Sequence, residues 1–134
     1  MVVPVGASDS HPSEQYATSV TTLRSIAADT RLPDAAKAGV VIAFGTDAGS
    51  PAVPHSVVAP EMKFMVDLGV VDGNYGALRS ATIVAARIHK LDDRIGTLEA
   101  GKLADVIVVD GDPLADLAAL EAVTMTYVEG ARLV

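Results

Sequence analysis

The spacing of hydrophobic positions changes twice along this chain. From Glu14 to Asp29 apolar residues fall at positions 16, 17, 20, 23, 26 and 27, the spacing of an amphipathic helix. Pro33 followed by Asp34–Ala38 predicts a further helical stretch, stopped by Gly39 just past its C-cap. Val40-Val41-Ile42-Ala43-Phe44 then runs without alternation, the pattern of a strand covered on both faces in a parallel sheet. Val2–Gly6 predicts a shorter strand near the start. Two more helices are expected, about Ala59–Leu68 and Tyr75–His89, the second with an apolar stripe through Leu78, Ala81, Ala85 and Ile88. Beyond residue 94 the pattern shortens again. Ile95–Leu98, Asp105–Asp110 and Thr124–Val128 are strand-like, separated by Gly-Lys, Gly-Asp-Pro and Glu-Gly turns. Residues 1–93 therefore read as a β-α-β-α segment and 94–134 as mainly β.

Composition makes that pattern harder to close on itself. Half of the 134 residues are hydrophobic before the 11 glycines are counted, and the mean hydropathy is +0.38. An average soluble domain reaches about 45–50% apolar only with glycine included. Either the strands are covered on both faces, or some apolar surface packs against something outside this sequence. Ten basic residues against 17 acidic ones give a net charge of −7, a field that repels phosphate backbones and argues against a nucleic-acid partner. The apolar runs Val40–Phe44 and Val106–Val109 are far too short to span a bilayer. The opening residues MVVPVGASDS show no export signal, so the cytoplasm is the expected compartment.

Three features invite chemistry. Gly96-Thr97-Leu98-Glu99-Ala100-Gly101-Lys102 matches the glycine and lysine positions of a phosphate-binding loop. The next residue is Leu103, where that loop needs a hydroxyl, and the flanking elements are in the wrong order. A glycine-rich turn with a surface lysine is the better reading. Asp47 stands just past the carboxyl end of the Val40–Phe44 strand, where α/β barrels and open sheets place their reactive groups. A carboxylate there can hold a divalent metal and shuttle a proton from metal-bound water; by position alone it serves as readily to cap the next turn. The histidines His11, His55 and His89 are scattered, with no local metal motif. Of the three, His55 is near enough to Asp47 in sequence to line the same mouth. No serine elbow is present, and cysteine is absent.

Taken together, these segments resemble the metal-dependent amidohydrolases, in particular relatives of imidazolonepropionase and the Xaa-Pro dipeptidases. The run from Ala38 to Gly49, with Gly45-Thr46-Asp47 at its centre, is similar to the eighth barrel strand of that superfamily. Glu61 with Leu68-Gly69, and Ala77-Leu78-Arg79-Ser80-Ala81-Thr82 with Ala85-Ala86-Arg87, resemble its following helices. Asp93–Asp105, Gly111-Asp112-Pro113-Leu114 with Asp116, and Glu129–Val134 resemble its small C-terminal β-domain.

The resemblance implies an α/β fold: the C-terminal fragment of a TIM (β/α)8 barrel, with its last strands and helices, followed by part of a small β-sandwich domain. It also implies hydrolysis of C–N bonds in a small amide or peptide-like substrate by a hydroxide on one or two divalent metals, zinc foremost. Asp47 would be the metal ligand and proton shuttle, and His55 a substrate-side residue. The superfamily's H-x-H pair, bridging lysine and middle-strand histidines have no counterpart in this sequence. A complete barrel takes about 250 residues, and a catalytic zinc about three protein ligands. The metal is thus expected only in a complete enzyme, and this chain is expected to be a truncated or split piece that needs the rest of the barrel. The alternative is a non-catalytic remnant that self-associates, or binds a partner chain, through exposed barrel edges.

Overall fold

The computed structural model describes residues 31–46, 48–49 and 55–133, the side chain of His55 excepted. The strand expected over Val2–Gly6 and the helix over Glu14–Asp29 lie outside the described residues.

Helix α1 (Arg31–Lys37) begins the described chain. It ends as its sequence predicts: Gly39, at φ 84°, donates its N–H to Ala36 O, and Val40 donates to Ala35 O. That pair of bonds is the Schellman motif, which satisfies the orphan carbonyls of the last turn. Helix α2 (Val58–Asp67) follows a 3-10 turn, His55–Val57, and closes in the same way. Gly69 N–H bonds Val66 O and Val70 N–H bonds Met65 O. Helix α3 (Gly73–Arg79) continues through a five-residue π-helical stretch, Ser80–Val84, into α4 (Ala85–Ile88). A third Schellman motif ends α4, with Lys90 N–H on Arg87 O and Leu91 N–H on Ala86 O. Here the left-handed position is filled by a lysine, Lys90 at φ 57°.

The α3–α4 rod is the middle of the structure, although its buried positions differ from the expected stripe. Ala77, Ser80, Ile83 and Ala86 are buried, whereas Leu78, Ala81 and Ala85 are only partly so and Ile88 is 54% exposed. Buried residues thus recur every third position. In an α-helix three residues fall about 60° short of a full turn, so the buried line winds around the rod and meets different partners on different sides. Ala77 joins Met62 of α2 and Leu117 in the core, with Phe44, Val66 and Leu120 packed around them. Ile83 and Ala86 face Gly96 instead. A Cβ on Gly96 would stand 2.8 Å from Ala86 Cβ and 3.0 Å from Ile83 Cα, and its φ is 92°. The strand expected over Ile95–Leu98 is therefore a bend: the chain turns sharply here to lie against the rod.

Lys102 holds that bend from inside. Its side chain is only 12% exposed, and its Nζ donates to Thr97 Oγ1 at 2.6 Å and Asp92 O at 2.7 Å, with Glu99 at 3.5 Å. The expected surface lysine is thus an internal tie.

The sheet is antiparallel, in the order β1 (Val106–Val109), β2 (Val123–Val128), β3 (Ala131–Arg132). Register slips between Val108 and Val109, and the Thr124 hydroxyl donates to Val108 O at that irregularity. Glu129 and Gly130, both at positive φ, make the two-residue turn from β2 to β3, the geometry that matches strand twist. The acids of the Gly111–Asp116 segment are turn formers. Asp112 Oδ1 accepts Leu114 N–H, and Asp116 Oδ1 caps the 3-10 helix Leu117–Glu121 by accepting Ala118 N–H. Asn74 ties this loop to α3 by donating to both Leu114 O and Ala115 O.

The segment 40–46 forms no strand ladder among the described residues. Val40 and Val41 are 56% and 69% exposed. A β conformation is held by its neighbours' hydrogen bonds, and no neighbouring strand for this run lies among the described residues. No helix of the described residues is long and apolar enough to cross a membrane.

Two substitutions should move stability in opposite directions. Lys90→Gly relieves a left-handed side-chain conformation and should stabilise by about 1 kcal/mol. Gly96→Ala forces Cβ into the rod and should destabilise by roughly 1–3 kcal/mol. Urea denaturation followed by circular dichroism measures both, and an unchanged Gly96→Ala midpoint would contradict the close approach.

Candidate functional site

The sequence points to the end of the 40–46 segment, and the surrounding elements fix where that segment runs. It leaves α1 through the Gly39 turn and is caught a few residues later by Phe44. The Phe44 N–H donates to Ser80 O at 3.2 Å, and the ring packs against the Met62, Ala77 and Leu117 core. Beyond it, the Thr46 hydroxyl accepts the Ala48 N–H at 3.0 Å, and Gly49 has φ 97°. Asp47 itself, the principal candidate, lies outside the described residues. His55 opens the 3-10 turn that leads into α2, but its side chain is likewise outside them. The structure therefore fixes the supports on both sides of this loop without bringing the two candidate side chains together.

The 3-10 turn and the first turn of α2 are firmly seated, with Val57 2%, Ala59 5% and Met62 4% exposed. Glu61 sits among them in the first turn of α2. Partial burial raises its carboxyl from 4.5 to about 7, because the apolar surroundings disfavour the charged form. Glu61 can therefore hold or release a proton near neutrality, as general acids and bases do. Its titration could not be read from the sequence, where only its place in a family-like helix was visible; desolvation depends on the fold around it.

Elsewhere the candidate groups have structural duties. His89 is the exposed C-cap of α4, and His11 lies outside the described residues. Lys102, Asp112 and Asp116 are each committed to turns. Among the described residues no group of three or more His, Asp or Glu side chains could hold a metal ion. These residues therefore do not supply the donor set of a catalytic zinc by themselves.

Comparison with known proteins gives a consistent result. The model of the Amidohydrolase family matches residues 11–133. A 5-methylthioadenosine/S-adenosylhomocysteine deaminase of Symbiobacterium thermophilum is 34% identical over 111 residues, which is 69% of this chain and 26% of that protein. The crystal structure of a Xaa-Pro dipeptidase with methionine bound in its active site is similar at 37% identity and a TM-score of 0.67, over 76% of this chain and 24% of that one. A protein of Bifidobacterium longum described as a prolidase is similar at 35% identity and a TM-score of 0.71, over 76% of this chain and 25% of that one. The chain spans about a quarter of the length of each of these relatives.

The raised Glu61 pKa has a definite sign in stability. The folded state keeps the proton up to about pH 7, whereas the unfolded chain releases it near 4.5. Between those values the native state binds more protons, so stability falls as pH rises through the window. Glu61→Gln should flatten that part of the pH–stability curve, measured by urea midpoints between pH 4 and 8. An unchanged slope would show that Glu61 titrates normally.

Proposed function

This chain belongs to the amidohydrolase family, and from that premise we propose that it carries the last barrel strand and small C-terminal domain of a hydrolase of C–N bonds. The observation that carries this reading is the family match over residues 11–133, within which Gly45-Thr46-Asp47 ends the segment anchored at Phe44. Residues 1–93 would form the barrel portion and 94–134 the β-domain portion. The family is generally metal-dependent. In the completed protein Asp47 would contribute one carboxylate to a divalent site, zinc by preference, that the other strands complete. The metal supplies Lewis-acid activation of water when bound; this chain's own part is to present the Asp47 carboxylate, which accepts a proton and returns it to the leaving nitrogen. His55 would line the substrate side of the same mouth. The substrate class is a small amide or peptide-like molecule, handled in the cytoplasm.

The exposed Val40 and Val41 favour a second reading, in which the chain is a non-catalytic remnant that covers these residues by self-association or against a partner chain. Light scattering tests its first branch: a monodisperse monomer of 13.7 kDa would remove the self-associating remnant and leave cover by a partner chain.

The role of Asp47 is tested in protein that includes the remaining barrel strands; an in-frame H-x-H segment upstream of Met1 would identify them. Asp47→Asn should lower kcat by about 10²–10⁴-fold, the usual range for loss of a positioned acid–base group, and should lower bound metal per chain. Full turnover in that variant would refute the assignment.

A further inference from the structure

We propose that the free edge of β1 is a docking site for a second polypeptide, which adds one extended strand with a four-residue apolar centre and a basic residue at each end. The proposal is independent of Asp47 and of any turnover.

The ladder shows which main-chain groups are open. Leu133 N–H bonds Thr126 O, so the Thr126 main chain faces β3. Main-chain direction alternates along an antiparallel strand, and Thr126 stands opposite Ile107. The Ile107 N–H and C=O therefore point away from β2. Asp110 N–H bonds Ala122 O on the inner side, which leaves Val109 facing outward as well. β1 ends the strand order, and no further strand flanks it among the described residues. Ile107 and Val108 project to opposite faces and are 50% and 40% exposed, so the strand is open on both faces too.

Proteins blunt such an edge with a charge, a proline or a bulge within the strand. β1 has none of these along its outer row. Its residues are Val-Ile-Val-Val, and the extra residue of the register slip, Thr124, is on β2. Charge stands at the two ends instead. Asp105 precedes the strand, fixed there by accepting Glu129 N–H at 2.8 Å, and Asp110 follows it. Glu129 and Asp112 add exposed carboxylates near them. Arg132, the one basic residue in the three strands, lies on β3 at the far edge.

An incoming strand thus meets apolar side chains in its middle and an acid at each end. Opposite charges facing each other across a strand pair attract. Strand addition of this kind takes its affinity from main-chain bonds and its selectivity from side chains. A second copy does not fit. This sequence brackets four or more uncharged residues with basic ones only at Arg79–Arg87, a stretch already committed to the α3–α4 rod. Two chains of net charge −7 also repel each other.

The full 134-residue chain is titrated with two end-blocked peptides and followed by ¹H–¹⁵N spectra and amide exchange. One is Lys-Val-Val-Ile-Val-Lys; the other has glutamate in place of both lysines. The lysine peptide should shift the Ile107 and Val109 amide signals and slow exchange at Ile107. The glutamate peptide should bind about tenfold more weakly or less, because both end pairs become like-charged. Ile107→Pro removes an outward donor without breaking a β1–β2 bond, and should abolish the shifts while Leu133 exchange stays unchanged. Asp110→Lys leaves the strand intact and should narrow the preference between the two peptides, which keeps the test alive if the proline variant fails to fold. Equal affinity for the two peptides, an unchanged preference in Asp110→Lys, or shifts that map away from β1 would overturn the proposal. So would failure of both peptides to bind, since the acids then only keep edges apart, or protection of Ile107 on concentrating the chain without peptide.

Discussion

Close approach of backbones to one helix is the constraint on which this structure depends. Ala77, Ser80 and Ala86 are small, so each lets another part of the chain come near the α3–α4 rod on a different side. At Ala77 the neighbour is the Met62 and Leu117 core; at Ser80 it is the Phe44 main chain; at Ala86 it is Gly96. Interiors packed to crystal-like density tolerate little added volume. A larger residue at any of these points would push out a whole segment rather than a single side chain. The winding of the buried line is what allows one short helix to organise three separate stretches of sequence.

Much of this was legible beforehand wherever local chemistry decides the outcome. Gly39 ends α1 through its positive φ, and Glu129-Gly130 makes the β2–β3 turn. The α2 and α3–α4 helices and strands β1 and β2 fall within two residues of the expected ranges. The failures have a common cause. Ile95–Leu98 has strand composition, but Gly96 must lie against Ala86, and that contact is 10 residues distant in sequence. Val40–Phe44 has the pattern of a covered strand, yet a ladder needs neighbours that the pattern does not name. The stripe through Leu78 and Ile88 follows ordinary helical period, whereas the ladder over Ser80–Val84 is π-helical and departs from it. Of the candidate site, the family and the supporting segments were readable. The burial that shifts Glu61 was not, because no single stretch of sequence encodes the surroundings of a carboxyl.

The chain belongs to the amidohydrolase family and spans about a quarter of the length of the relatives it matches. Around the candidate loop the described residues supply its supports: the turn before the segment, the anchor at Phe44 and the seated start of α2. Part of the small excess of apolar residues lies at the surface, with Val40 and Val41 uncovered and Ile107 half exposed on β1.

Asn74 reaches forty residues along the chain and recognises the Gly111–Asp116 loop through the main-chain oxygens of Leu114 and Ala115. Every amino acid offers the same carbonyl. The tie is therefore blind to side-chain identity at those two positions, so their sequence is free to drift while the loop keeps its path, and the burden of fidelity falls on a single amide at the start of α3.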